Sequence, residues 1–272
     1  MTVETDAPDP TSSLLAFFGS EILRLRTERG WSQGALAKEA HTTQAMISYL
    51  ESAKRVPTDD LVRDLDAVFE TGGHLGRLLP LVLRYAYPSW FLPYVQLEHD
   101  SKSMRVFESQ IVPGLLQTEG YARAMLAAVR PDNLDDLVAA RMSRQALFER
   151  KVPPHTWFVV DEQALLRTIG GPLIMIEQLE RLLDAGQQPR TVIQVVPASV
   201  VAHPGLAGPF TVMSFDEQPD VLYVDGFSQG RLALESNEVI EAGRAYDLLR
   251  AVALSPEASA ELIGARVEEL KQ

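Results

Sequence analysis

The 272-residue sequence contains no cysteine, which excludes disulfide bonds, thiol nucleophiles and thiolate metal sites. It also has no run of about 18 apolar residues, the length that a membrane-spanning helix needs. The most apolar stretch, residues 75–94, is interrupted by two arginines and three prolines. The N-terminus lacks the basic start and apolar run of a secretory signal. We therefore expect a cytoplasmic protein that does not enter a membrane.

Basic residues are also in short supply. The chain has 37 acidic and 25 basic residues, a net charge of −12, which argues against a general nucleic-acid coat because phosphate neutralisation drives non-specific binding. Residues 21–56 are the exception, with six bases, four acids and a local charge of +2. Because association depends on the field at the contacting face, this island remains compatible with a specific anionic partner.

The chain divides into a short lead and two domains, as its length suggests. Residues 1–13, rich in Pro, Asp, Thr and Ser, predict a disordered lead. Residues 14–73 are typical of five short helices, with Gly72-Gly73 closing the fifth. Residues 74–89 predict a connecting helix or linker. Residues 90–272 mix helices with strands, so the expected fold class is a mainly α N-terminal five-helix domain plus an α+β C-terminal domain.

The boundaries in the second domain follow from local patterns. β-rich or alternating runs predict strands at 104–112, 156–160, 191–196, 210–215 and 221–224. Amphipathic spacing predicts helices at 119–129, 134–150, 172–185 and 238–254, and a last helix after Ser255-Pro256.

The segment Trp31–Arg55 gives the strongest local signal. Ser32 is suited to cap a helix that ends at residue 39 or 40, and Thr43 to cap a second helix over residues 44–51. The four-residue break between them places His41 where the turn needs an unusual backbone angle. Inward-facing positions of the two helices are Leu36, Ala37, Ala40, Ile47 and Leu50.

The remaining side chains of the second helix suit base recognition. They are Gln44, Ala45, Ser48 and Tyr49, on its leading or outward face. A recognition helix enters the major groove with its N-terminal residues toward base edges. Glutamine pairs bidentately with adenine, and an alanine methyl can contact thymine.

Three flanking residues suit the DNA backbone. Gln33, at the start of the first helix, offers an amide to a phosphate. Lys54 and Arg55 follow the second helix and can bind the adjacent backbone.

This segment resembles the Xre/Cro/C1 class of helix-turn-helix proteins, the lambdoid phage repressor type, most closely in the run TTQAMISYLE at residues 42–51. The resemblance implies that Gln33 and Thr43 contact phosphates and that Gln44, Ala45 and Tyr49 face bases. It also implies a structural ion pair between Arg26 and Glu51. Two positions where this class usually has glycine hold His41 and Ala53. A five-helix bundle that binds no DNA is the alternative reading of this segment.

The second domain shows no set of catalytic or metal-binding residues. No two of its histidines are four residues apart, and His203 is interpreted as a loop histidine. Gly170-Gly171-Pro172 lacks the Lys and Ser or Thr of a phosphate loop, and the pair Asp161-Glu162 is interpreted as a strand end. We therefore expect no enzymatic activity, no metal and no cofactor. Residues Arg141, Arg144 and Gln145 are interpreted as a solvated helix face.

Four segments of the second domain resemble the large domain of unknown function that follows an Xre-type helix-turn-helix in many actinomycete regulators, the WhiJ-like and antitoxin-like proteins. They are residues 111–126, 167–183, 203–215 and 222–235. This resemblance implies control by a small partner protein encoded nearby, and it supplies no catalytic residues.

The expected function is a sequence-specific transcriptional regulator, a repressor, that binds double-stranded DNA as a homodimer and is controlled by a small partner protein. Three alternatives stay open: an antitoxin that neutralises a small toxin, a small-molecule sensor, and, least supported by the residues, an enzyme fused to a DNA-binding module.

Overall fold

The computed structural model describes residues 8–272, so residues 1–7 of the predicted disordered lead lie outside the described part. Two compact units are present. The first unit holds the described chain from residue 8 to Leu92 together with Val129–Ser143, and the second holds Pro93–Ala128 and Arg144–Gln272. The first is helical, and the second combines a six-stranded mixed sheet with helices, as the predicted fold class requires.

The helices and strands have the following bounds. The helices are α1 Leu14–Glu28, α2 Gln33–Glu39, α3 Gln44–Glu51, α4 Asp59–Phe69, α5 His74–Ala86, α6 Leu92–Asp100, α7 Glu119–Ala127, α8 Leu134–Ser143, α9 Glu162–Leu166, α10 Pro172–Gly186, α11 Ser236–Val252 and α12 Pro256–Leu270. The strands are β1 Ser103–Glu108, β2 His155–Asp161, β3 Thr191–Val196, β4 Phe210–Ser214, β5 Val221–Val224 and β6 Arg231–Ala233. Short 3₁₀ segments cover Gly114–Leu116, Arg144–Glu149 and Pro204–Ala207. No helix within residues 8–272 is both long and apolar enough to cross a membrane.

The first four helices begin at hydroxyl caps. The side chains of Ser13, Ser32, Thr43 and Thr58 each accept a hydrogen bond from the backbone N–H three residues later. Such a cap stabilises a helix by about 1 kcal/mol because it satisfies a donor that the helix leaves unpaired. The predicted starts of α2 and α3, at Ser32 and Thr43, are therefore confirmed.

The predicted position of the fifth helix was wrong. Residues 14–73 contain four helices, because residues 14–28 form one continuous helix and only three helices precede Pro57. The fifth helix, α5, begins at His74, directly after the left-handed Gly72 and Gly73, and occupies the predicted linker at 74–89. It packs against α1 and α4 in the first unit.

The core of the first unit follows one face of each helix. Leu25, Leu36, Ile47, Leu50 and Leu65 are buried as their spacing predicts. Leu61 is four residues before Leu65, so the same spacing predicts that it faces inward, but Leu61 is half-buried and this prediction was wrong. The buried stripe of α4 instead runs through Val62, Leu65 and Phe69, which are three and four residues apart and share one helical face.

α1 and α3 approach each other closely at Gly19. A side-chain carbon added to Gly19 would overlap the carbonyl oxygen of Leu50 and press on the backbone of Glu51. Because these are backbone atoms, they cannot move aside cheaply. The close approach therefore depends on the absence of a side chain at residue 19, and it sets the end of α3 against the middle of α1.

α8 comes from a distant part of the sequence but completes the first unit. The carboxylate of its buried Asp136 accepts hydrogen bonds from the hydroxyls of Ser13, at 3.0 Å, and Tyr85, at 3.1 Å. These contacts join α8 to the cap of α1 and to the last turn of α5.

The end of α8 also contacts the loop that follows α3. The backbone N–H of Val56 donates to the hydroxyl of Ser143 at 2.6 Å. The predicted helix at 134–150 is therefore divided: residues 134–143 form α8 in the first unit, and residues 144–149 form a 3₁₀ segment in the second.

The second unit is built on one sheet with the order β3-β2-β1-β4-β5-β6. β1, β2 and β3 are parallel, whereas β4, β5 and β6 are antiparallel to their neighbours. All five predicted strands are confirmed within a few residues. The sixth, β6, was missed because it has only three residues and lies at the edge of the sheet.

Helices cover the sheet around an apolar core. α10 and α12 pack against each other and against β3, and α11 packs on β3, β4 and β5. A central cluster consists of Phe107, Val159, Val196, Tyr246 and Leu249, all buried. The Tyr246 hydroxyl donates to the carbonyl of Trp157 at 2.6 Å, and burial raises its pKa.

A buried ion pair follows immediately after α8. Arg144 donates to both carboxylate oxygens of Glu98, at 2.7 and 2.5 Å, and lies over the ring of Tyr94. Both charged side chains are almost completely buried. The interpretation of Arg144 as part of a solvated helix face was therefore wrong, because the helix ends one residue earlier and the chain turns this side chain inward.

Candidate nucleic-acid interface

The turn between α2 and α3 keeps its shape without glycine. His41 adopts a left-handed conformation with φ of +50°, and the N–H of Thr42 donates to the carbonyl of Ala37 at 2.9 Å. Ala53 is also left-handed, with φ of +56°, and is followed by a bond from the N–H of Lys54 to the carbonyl of Tyr49. Histidine is tolerated in this region better than most residues, whereas alanine there carries strain.

Most residues predicted to contact DNA lie at the surface. Thr43, Gln44, Ala45, Tyr49 and Lys54 are exposed. Ser48 and Arg55 are half-buried. Since Ile47 and Leu50 fix the opposite side of α3 in the core, the leading end and outward face of this helix are open to a partner.

Gln44 lies beside the start of α2. Its side-chain oxygen lies 3.5 Å, an ordinary van der Waals distance, from the position that a side-chain carbon on Gly34 would occupy. The first turns of α2 and α3 therefore share one edge of the unit. This edge holds Gln33 and Gln44 together with the caps Ser32 and Thr43.

The side chain of Gln33 is turned toward the interior. Its amide nitrogen donates to a carboxylate oxygen of Glu51 at 2.8 Å. An amide carries two hydrogens, so one remains for a phosphate. Thr43 is in a similar position, because its oxygen accepts from the N–H of Met46 while its hydroxyl hydrogen stays free to donate outward.

Arg55 is held against α3. Its guanidinium lies 4.7 Å from the centre of the Tyr49 ring and also donates to the carbonyl of Lys54 at 2.9 Å. Stacking on an aromatic ring limits the freedom of the cation and of the ring together. The sequence did not indicate this contact, because the two residues are six positions apart and the chain reverses at Ala53.

The far end of α3 is anchored by a buried ion pair. Arg26 donates to both oxygens of Glu51, at 2.5 and 2.9 Å, and to the carbonyl of Trp31 at 2.6 Å. Both side chains are buried, and Glu51 accepts from Gln33 as well. The carboxylate therefore connects α1, α2 and α3 through three hydrogen bonds.

The second unit offers other polar contacts but no cluster suited to a metal. The buried His203 ring lies 3.0 Å from a carboxylate oxygen of Asp161 and packs edge-on against Phe107. This pair ties the loop before β4 to the end of β2. Across residues 8–272 there is no group of three or more histidine, aspartate and glutamate side chains placed to hold a metal ion.

Comparison with protein families identifies both parts of the chain. Residues 18–79 match a helix-turn-helix domain, and residues 91–265 match a domain of unknown function, DUF5753. The second match covers more than half of the sequence, including α8. No curated protein and no solved structure matches the chain.

The buried ion pair gives the first testable prediction. Glu51→Gln should lower the free energy of unfolding by about 3 kcal/mol or more, because Arg26 would keep its charge in a buried place without a counter-charge. Urea unfolding of the full chain measures the change. The control is Glu28→Gln, which removes an exposed partner of Arg24 on α1 and should cost under about 1 kcal/mol. Equal losses in the two variants would contradict the structural role of the buried pair.

Proposed function

Because the chain belongs to the DUF5753 family and carries a helix-turn-helix domain, we propose that it is a sequence-specific transcriptional regulator of the Xre class. The observation that carries the proposal is the exposed leading face of α3. Gln44, Ala45 and Tyr49 are open to solvent there, and glutamine and alanine are side chains that distinguish base pairs in the major groove. Lys54 and Arg55 at the other end suit phosphates.

The distribution of charge supports contact through the segment of residues 21–56, which carries α2 and α3. Residues 74–272 contain 18 basic and 25 acidic residues, a net charge of −7, which would repel the duplex. Residues 21–56 carry +2. We propose that a homodimer presents two α3 helices about 34–36 Å apart on one face of the DNA, the spacing of one helical turn.

The regulatory part of the proposal concerns the second unit. Like the WhiJ-like regulators that its segments resemble, the chain would act in the cytoplasm as a repressor that a small partner protein controls. Three exposed apolar residues on α11, Ile240, Leu248 and Val252, support a protein-binding surface. At about 100° per residue they fall within an arc of about 120° on the helix. Acidity elsewhere in the unit would steer a basic partner. The proposal assigns no enzymatic activity and no cofactor to the chain.

Substitution of DNA-facing residues tests the central part of the proposal. Gln44→Ala should weaken binding to the operator sequence, as recovered by selection from random DNA, by about 1–3 kcal/mol and relax preference at one base pair. Arg55→Ala should weaken binding to all sequences alike and reduce the salt slope by about one, because it removes a phosphate contact. Titrations at several salt concentrations measure both effects.

A matched control for these variants is Arg63→Ala. Arg63 is an exposed arginine on α4, and within residues 8–272 its ion-pair partner is the exposed Asp60 of the same helix, so its removal should leave affinity and salt slope unchanged. If Gln44→Ala and Arg55→Ala lose affinity in the same sequence-dependent way, the assigned roles are wrong. If neither variant differs from Arg63→Ala, α3 does not read the DNA.

The dimer and the partner are tested with the full chain. A fragment beginning at residue 90 would separate α8 from its contacts in the first unit, so it does not report on the intact protein. The mass in solution should be twice 30.1 kDa. A small protein whose gene lies beside the gene for this chain should co-purify with the chain when the two are co-expressed.

The α11 surface has its own control. Ile240→Glu with Leu248→Glu should abolish co-purification, whereas Glu241→Gln, at an exposed position of the same helix, should not. A monomeric mass would contradict the proposed dimer. Failure of every small protein encoded nearby to bind, or equal binding by the double variant, would contradict the proposed partner-binding surface.

A further inference from the structure

The second unit contains a pocket that includes none of the residues proposed to contact DNA. It has a volume of about 350 Å³, which is within the range of small-molecule sites. One side of the pocket is formed by the end of α10 and the start of β3, and the other side by residues 148–154. All of its lining residues belong to the second unit.

Most of the pocket wall is apolar. Phe148 supplies an aromatic side chain, and Leu116, Pro153, Pro154 and Ala185 supply aliphatic surface. Prolines and a ring lose little conformational freedom when a ligand packs on them, so the wall is largely preformed. Such a surface suits the flat or aliphatic part of a small organic molecule.

The charged groups of the pocket all have one sign. Arg181 and Arg190 line it, and no acidic residue does. The chain as a whole has a net charge of −12, whereas the side chains that line this pocket carry a net positive charge. An arginine fork binds carboxylate and phosphate groups through two parallel hydrogen bonds.

The two arginines differ in what already binds them. Arg190 donates to the carbonyl of Pro153 at 3.3 Å and lies 3.0 Å from the ring nitrogen of His155, so it holds the wall in place. Arg181 is half-buried on α10 and makes no ion pair or hydrogen bond with any of residues 8–272. A partly buried cation without a partner is a group that an anion would satisfy.

We propose that this pocket binds a small organic anion. The apolar part of the ligand packs against Phe148, Pro153 and Pro154, and its carboxylate or phosphate accepts hydrogen bonds from Arg181. Arg190 keeps the wall in shape and adds to the positive field. This inference concerns ligand binding alone and stands whether or not the chain binds DNA.

A series of probes that share a naphthalene ring and differ in the polar group attached to it tests the ligand class. Calorimetric titration of the full chain would use 2-naphthoate, 2-naphthyl phosphate, 2-naphthalenemethanol and 2-naphthylmethylammonium. At least one anion should bind at one site, at least about tenfold more tightly than the alcohol, and the cation should bind most weakly. Which anion binds better tells whether the site prefers a carboxylate or a phosphate. Equal affinity for alcohol and anions, or no binding of either anion at saturating concentration, would overturn the proposal.

Variants locate the site. Arg181→Gln should lower the affinity for the anion by about tenfold or more without changing the affinity for the alcohol. Arg181→Lys should retain part of the affinity for the anion. Arg244→Gln, which removes an exposed arginine of α11 outside the pocket, should bind like the wild type. Melting temperatures establish that each variant is folded. Undiminished anion binding by a folded Arg181→Gln variant would contradict the assignment.

Discussion

The carboxylate of Glu51 is the point at which the first unit is held together. It accepts two hydrogen bonds from Arg26 on α1 and one from Gln33 on α2, and Glu51 itself is the last residue of α3. Two buried charges are stable only when their hydrogen bonds are satisfied, and here Arg26 also reaches the carbonyl of Trp31. Close backbone approach at Gly19 reinforces the same junction. The orientation of α3, and therefore of Gln44, depends on this buried pair.

Local signals were enough to predict the elements that carry the candidate site. Hydroxyl caps at Ser32 and Thr43 and the spacing of Ile47 and Leu50 placed α2 and α3, because caps and helical periodicity act within a few residues. Features that depend on distant residues were not predictable in this way. Examples are the inward turn of Arg144 and the pocket. The stacking of Arg55 on Tyr49 was missed because the chain reverses at Ala53, and β6 was missed because it has only three residues.

The position of α8 shows why the two sequence families do not correspond to the two compact units. Residues 91–265 match DUF5753, yet residues 129–143 within them belong to the unit that carries the helix-turn-helix. Ser143 accepts from Val56 in the loop after α3, and the next residue, Arg144, is fixed on Glu98 in the second unit. At this crossing, one of three along the chain, the residue on each side is therefore anchored in its own unit, which a linear division of the sequence cannot predict.

Selection of DNA from a random-sequence pool by the full chain at physiological salt tests whether the chain recognises a DNA sequence. The enriched fragments should share a short motif, present twice with centres about 10 base pairs apart, as two copies of α3 on one face of the duplex require. Recovered fragments with the same sequence composition as the starting pool would contradict sequence-specific reading by this chain.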